Sequence, residues 1–256
     1  MEETLTAKDF PVLSGLNPAT PFWAVGDVHG RDDLLGPLLE RLLQDDLPVV
    51  ILGDVINRGP QSAAVLRRLY GLASDPRIIV LRGNHELLLR AFLYRPRRNG
   101  RVFLQYGGRA TLESFGVTDL PAEPAAPDFG AARDQLLQAM GPLATWLGKL
   151  PFHWQSGNVA ALHAGADPLL PLDQQPPQGF AWGHPNFTRF PRTDGQWIVH
   201  GHSPVDDIEI AERRIAINTC ADQTGLLTAV RLETDAVTLL APGGGQDDPD
   251  GPQGNP

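Results

Sequence analysis

Val49-Val50-Ile51-Leu52-Gly53-Asp54-Val55-Ile56-Asn57-Arg58-Gly59-Pro60 is a run of four apolar residues leading straight into Gly-Asp. A short, unbroken apolar run is the pattern of a parallel strand buried on both faces. Gly53 marks a tight turn, and Asp54 lands at the strand's carboxyl end, where open α/β sheets collect their ligands. The same phrase occurs earlier as Phe22-Trp23-Ala24-Val25-Gly26-Asp27-Val28-His29-Gly30, and in variant form as Ile78-Ile79-Val80-Leu81-Arg82-Gly83-Asn84-His85-Glu86. Three strands thus deliver Asp27, His29, Asp54, Asn84 and His85 to one edge of a sheet. Carboxylate, amide and imidazole donors together suit a pair of divalent transition metals. A single Gly-Asp reads as a polar strand-end turn; three in register do not.

Working outward, residues 31–45 carry Leu34, Leu35, Leu38, Leu39, Leu42 and Leu43, the spacing of a helical apolar face. Pro60 opens a second helix whose stripe is Ala64, Val65, Leu66, Leu69 and Leu72. The order β-α-β-α-β predicts an α/β fold with parallel strands and right-handed crossovers. A third helix runs from Glu86 to about Leu93. Residues 90–148 read as a mostly helical insertion beside the metal edge, with helices predicted at 111–116 and 128–147 and a Pro-rich linker at 121–127. Within it Arg95, Arg97, Arg98, Arg101 and Arg109 crowd an irregular stretch with a Gly107-Gly108 turn. That cluster is either a solvated loop or a collector of acidic substrate groups.

The second half is strand-rich. Ser156-Gly157-Asn158 signals a hairpin, and its second strand ends in His163-Ala164-Gly165. Trp197-Ile198-Val199-His200-Gly201-His202 is another strand ending in histidine, and runs at 208–210, 213–219, 225–232 and 236–240 follow at meander spacing. Residues 1–20 read as a lead-in segment and 1–242 as one domain. The Gly-, Pro- and Asp-rich stretch 243–256 is expected to be disordered.

The chain has 256 residues and a net charge of −9, which argues against nonspecific nucleic-acid binding. Cys220 is the lone cysteine, so no intrachain disulfide forms. No window is apolar for the ~18 residues of a membrane span, and the start, Met1-Glu2-Glu3-Thr4-Leu5, shows neither a basic n-region nor an apolar h-region. The expectation is a cytoplasmic protein with neither membrane nor nucleic acid as partner.

In order, the marked pieces are Gly26-Asp27-Val28-His29-Gly30, Gly53-Asp54-Val55-Ile56-Asn57-Arg58-Gly59, Gly83-Asn84-His85-Glu86, His163-Ala164-Gly165 and Gly201-His202. They resemble the calcineurin-like metallophosphoesterases, and within them the bacterial and phage branch of the Ser/Thr protein phosphatase (PPP) family. The resemblance implies an α/β sandwich of two packed mixed β-sheets flanked by helices. It implies Asp27, His29 and Asp54 as ligands of one metal, and Asp54, Asn84, His163 and His202 as ligands of a second. Arg58 and Asn84 would grip phosphate oxygens, with His85 protonating the leaving group. The cofactors would be two divalent ions, Mn²⁺ first, with Fe or Zn as alternatives. The implied reaction is hydrolysis of a phosphomonoester by in-line attack of a metal-bridging hydroxide, with a phosphoserine or phosphothreonine protein, or a small phosphoester, as substrate.

One position departs from the family. The second motif usually has Asp before Arg, where it pairs with the catalytic histidine; this sequence has Asn57. The Asn57 amide oxygen would orient the His85 ring without supplying charge. The related symmetrical hydrolases of dinucleoside tetraphosphates also lack that Asp, whereas Glu86 and Gly201-His202-Ser203-Pro204 fit the phosphatase branch better. A third reading is a catalytically silent phosphate-binding module, against which every ligand position keeps a ligand-capable residue. His153 and His184 read as ordinary core or surface histidines, and Arg189 is the candidate for a second phosphate-binding arginine.

Overall fold

The computed structural model describes residues 2–120 and 129–240. The linker read at 121–127 and the tail at 243–256 fall outside the described residues.

The first half alternates strands and helices as the apolar pattern requires. In order come β1 (Glu2–Thr6), β2 (Phe22–Val25), α1 (Asp32–Leu42), β3 (Val49–Ile51), α2 (Ser62–Gly71), β4 (Ile78–Val80) and α3 (Asn84–Tyr94). The insertion contains α4 (Pro96–Phe103), α5 (Arg109–Ser114), α6 (Gly130–Met140) and α7 (Pro142–Leu147). Then follow β5 (His153–Ser156), β6 (Val159–Leu162), α8 (Pro177–Trp182), β7 (Trp197–Pro204), β8 (Glu209–Ala211), β9 (Arg214–Asn218), α9 (Ala221–Thr224), β10 (Ala229–Glu233) and β11 (Ala236–Leu240).

Two mixed sheets result. One has the order β1-β11-β10-β2-β3-β4 and the other β5-β6-β7-β9-β8. β2, β3 and β4 are parallel, as are β6, β7 and β9. Alternation along the apolar runs builds the layers. Phe22, Ala24, Val50 and Leu52 meet Val159, Ala161, Val199 and Ile217 between the sheets. Trp23, Val25, Val49 and Ile51 face the other way, onto α1 and α2 through Leu35, Leu39, Val65 and Leu69. Ala160, Leu162 and Ile198 cover the outer face of the second sheet against Phe180 and Phe187. Strands buried on both faces explain why the sequence shows unbroken apolar runs rather than alternation.

Four expectations are corrected. The lead-in is not irregular throughout: Glu2–Thr6 pairs antiparallel with β11, Glu2 opposite Leu240 and Thr6 opposite Ala236. Its partner is more than two hundred residues away, so no local pattern announces it. The last strands are not a simple meander. β9 joins the second sheet, while β10 returns to pair with β2 in the first. The arginine-rich stretch is helical as α4, which buries only Gly100 and Phe103, too thin a stripe to read as periodic. The helix read at 128–147 is broken at Gly141-Pro142 into α6 and α7.

Candidate metal centre

The marked pieces sit at or near the carboxyl ends of parallel strands. Asp27 and His29 follow β2, Asp54 follows β3, and His163 follows β6. Asn84 and His85 open α3 just after β4. His202 lies within β7, where the register to β9 slips between His200 and Pro204. The irregularity re-aims the side chain, as bulges beside functional sites do.

The turns are unusual backbone. His29, Asp54, Asn57, Arg58 and His202 all have positive φ, between 43° and 69°. Non-glycine residues adopt that region at a cost, and such residues cluster at functional sites. The glycines make room. A Cβ on Gly83 would stand 2.2 Å from Asp54 Oδ1, and one on Gly201 would stand 2.0 Å from Asp27 Oδ1.

Asp54 is the hub. Its Oδ2 lies 3.3 Å from His163 Nε2, 3.7 Å from His29 Nε2 and 3.8 Å from His85 Nε2, while Oδ1 accepts the His85 backbone N–H at 3.0 Å. Asp27 Oδ2 is 4.0 Å from His29 Nε2 and accepts the backbone N–H of His202. Asn84 Oδ1 stands 2.9 Å from His163 Nε2 and 3.1 Å from His202 Nδ1. All of the expected ligands, Asp27, His29, Asp54, Asn84, His163 and His202, therefore converge. Two groups, His29–Asp54–His85 and Asp54–His163–His202, bring ligand atoms within 4.8 Å of one another.

The donor set fits divalent cations. His29 Nδ1 and His163 Nδ1 each meet a backbone carbonyl at 3.0 Å, Ile56 O and Leu52 O. In neutral imidazoles that leaves both Nε2 lone pairs pointing inward, while the other ring nitrogen is held by a backbone carbonyl, as in metal-ligating histidines. His163 Nε2, Asn84 Oδ1 and Asp54 Oδ2 are then acceptors crowded against each other, an arrangement that a shared cation relieves. Without a metal, a proton takes that part: burial opposes the imidazolium, but Asp54 and Asp27 outweigh it and push His163 up to about 9. Burial pushes Asp27 up to about 6, Asp54 adding to the rise and His163 opposing it. Burial also acts on Asp54, yet His163 and His85 hold its carboxyl below the usual range.

Glu86 ties the turns together. Its Oε2 accepts the N–H groups of Gly83 and Asp54 at 2.8 and 3.0 Å, and Oε1 accepts that of Val55 at 3.0 Å.

His85 is held by Asn57, but by the other end of the amide from the one expected. Asn57 Oδ1 accepts from Thr111 Oγ1 at 2.7 Å, which turns Nδ2 to His85 Nδ1 at 2.9 Å. Nδ1 is thus an acceptor, and Nε2, facing Asp54, carries the ring proton. Burial drives His85 down to about 4, so the ring is neutral near pH 7. Arg58 has its backbone N–H on Gly107 O at 3.2 Å, with Gly107 at φ 82° in the kink after α4. That kink also brings Tyr106 to 5.9 Å, ring to ring, from His85.

Other expected residues lie elsewhere. Arg95, Arg97 and Arg98 line a separate cavity of about 400 Å³ with Gly130 and Arg133, containing none of the centre's residues. Arg109 pairs with Glu113 at 3.7 Å. Arg189 is exposed on the turn after Asn186. His153 is an exposed strand residue, and His184 faces Asp167 at 3.7 Å. His200 is buried with Nδ1 on Gly201 O. Sequence reasoning missed Thr111 and Tyr106, which no motif marks, and gave Glu86 no positioning role.

Known proteins resemble this chain in sequence and in fold. Curated relatives include symmetrical bis(5'-nucleosyl)-tetraphosphatases from Legionella pneumophila (strain Lens), 42% identical over 158 residues, and Acidovorax ebreus, 35% identical over 154. The alignments cover 60% and 57% of this chain, and 48% and 44% of those proteins. The chain thus spans about half the length of the relatives it matches. A crystal structure provisionally described as a diadenosine tetraphosphatase superposes with a TM-score of 0.60 at 19% identity, covering 89% of this chain and 96% of that one. A protein serine/threonine phosphatase from Saccharomyces cerevisiae superposes with a TM-score of 0.54 at 15% identity, covering 86% and 78%. At these identities both share the fold alone. The profile of the calcineurin-like phosphoesterase family matches residues 20–206, the stretch that holds every converging ligand, and the chain belongs to that family.

Proposed function

We propose that this chain hydrolyses a phosphoanhydride, with a dinucleoside tetraphosphate split symmetrically into two nucleoside diphosphates. The observation that carries this reading is the neutral His85–Asn57 pair. A carboxylate partner would stabilise imidazolium, the strong acid that a serine alkoxide needs. Asn57 instead donates to Nδ1 and leaves a neutral ring with its proton on Nε2. That weak acid suits a leaving group that needs little help, such as the terminal oxygen of a nucleoside diphosphate. The curated relatives named as symmetrical tetraphosphatases point the same way.

Asp27, His29, Asp54, Asn84, His163 and His202 would hold two divalent ions, Mn²⁺ first, with Fe or Zn as alternatives; the donor set has oxygen and imidazole but no thiolate. When bound, such a pair supplies Lewis acidity and an activated water at neutral pH. The remaining work falls to the chain. Arg58 grips phosphoryl oxygens, a task suited to its fork of donors. Asn84 adds an amide at the same face. As the P–O bond to the departing diphosphate breaks, its electron pair goes to that oxygen and His85 Nε2–H lends its proton. Glu86 keeps the Asp54 and Asn84 turns in register throughout.

A phosphoserine or phosphothreonine protein is the second reading; the fold is compatible with it, and Asn57 counts against it. The deciding experiment compares diadenosine tetraphosphate, a phosphoserine peptide and an aryl phosphate with Mn²⁺-loaded enzyme. The expected result is ADP as sole nucleotide product, with kcat/KM at least about a hundredfold above the peptide, within the reach of general-acid effects. Preference for the peptide, or release of AMP and ATP, rejects the proposal.

A further inference from the structure

Arg58 faces a carboxylate that none of the roles above employs. Asp222, in α9, has only 9% of its side chain exposed, and its Oδ1 makes no hydrogen bond among the described residues. That oxygen lies 3.8 Å from Arg58 Nη1, an ion pair too long for a hydrogen bond. The loop that carries it is pinned. Arg31 Nη1 donates to Ala221 O at 2.7 Å, the Cys220 N–H donates to Asn218 Oδ1 at 3.0 Å, and Thr224 Oγ1 donates to Thr219 O at 2.8 Å. The Arg58 side chain, 38% exposed, is the more open partner. Asp222 is thus a fixed anion beside the cation assigned to phosphate.

Such an anion acts unequally on phosphates of different charge. At neutral pH a phosphomonoester carries close to two negative charges. An internal phosphate of a dinucleoside polyphosphate, like any phosphodiester, carries one. Repulsion scales with the charge on the bound group, and a nearly buried charge is screened little by salt.

We propose that Asp222 is a specificity-determining residue, a fixed negative charge beside Arg58 that disfavours dianionic phosphomonoesters relative to singly charged internal phosphates. The inference rests on the phosphoanhydride reading above and deepens it by naming the charge class of the attacked group. Like-charge placement of this kind is a common means of rejecting a wrong partner.

The test uses two substrates with one leaving group. 4-Nitrophenyl phosphate and bis(4-nitrophenyl) phosphate both release nitrophenolate, but the first has a dianionic phosphoryl group and the second a monoanionic one. In Asp222→Asn, kcat/KM for the monoester divided by that for the diester should rise about tenfold, the order expected for removing one nearby charge. Calorimetric titration with inorganic phosphate at pH 8 should show tighter binding to the same variant. Asp222→Ser, also neutral but smaller, should shift both readings in the same direction, and guards against a folding defect in either variant. An unchanged ratio, or weaker phosphate binding with either variant, overturns the proposal and leaves Asp222 as a brace for Arg58. If wild type ignores diadenosine tetraphosphate yet the ratio still rises, the function proposal fails while the charge filter stands.

Discussion

Asn57 Nδ2 meets His85 Nδ1 at 2.9 Å, deep in the protein, with Asn57 fully buried and His85 1% exposed. The contact fixes which ring nitrogen carries the proton, and it does so without charge. Replacing the amide by a carboxylate reverses the sense of the hydrogen bond: Nδ1 would donate, and imidazolium would be favoured. Asn57→Asp is therefore expected to raise kcat for a phosphoserine peptide about tenfold, part of the range of general-acid catalysis. Turnover of an aryl phosphate should hardly change, because nitrophenolate needs no proton. Steady-state kinetics on the two substrates check this; a uniform change on both would mean that Asn57 does not act through His85 protonation.

Asp54 stands between both ligand groups, so Asp54→Asn should lose metal and activity together. Metal analysis of the purified variant, set beside its turnover of 4-nitrophenyl phosphate, provides the measurement. Full activity in exhaustively demetallated wild type would sink the metal-centre reading.

Glu86 accepts three backbone N–H groups, and glutamine offers one oxygen and an NH₂ that repels the third donor. Leaving a buried N–H unpaired costs about 1–3 kcal/mol. Urea unfolding of Glu86→Gln should show a loss in that range, accompanied by weaker metal retention. An unchanged midpoint would show that the turns hold themselves.

Metal removal should make stability depend on pH above neutrality. His163 is raised to about 9, so its contribution is fully present below its ordinary value of 6.5 and is lost as pH climbs through 9. Glu86, raised to about 7 mainly by burial and then by Asp54, loses its contribution as pH rises through 7, in the same direction. The histidines lowered to about 4, His85, His200 and His202, contribute their pH dependence below 6.5 and leave this window alone. The melting temperature of demetallated protein should therefore fall steadily from pH 7 to pH 9. Saturating Mn²⁺ should flatten the curve, since a ligating His163 has no proton to lose. A flat profile in the absence of metal contradicts the assigned cause.

The converging residues were legible in the sequence because they sit in short phrases after buried strands, where Gly-Asp, Gly-Asn and Gly-His stand out from the apolar run. The parallel half of the fold was legible for the same reason. β1 was not, because Glu2–Thr6 earns its strand conformation only from β11 at the far end of the chain. α4 was hidden by its arginines, which leave only Gly100 and Phe103 to pack. Asp222 and Thr111 could not be found by pattern at all. Their meaning comes from what lies across the fold, Arg58 for one and Asn57 for the other.

The left-handed turns also bear on protein engineering. Five residues of this site hold their side chains in place through backbone that ordinary strand ends do not adopt. A graft that copied Asp27, His29, Asp54, Asn84, His163 and His202 onto regular β-strands would reproduce the chemistry of the list and scatter its directions. What must travel to a new scaffold is the sequence of φ angles, together with the glycines at 83 and 201 that clear the space. The centre is portable as loops, and as loops only.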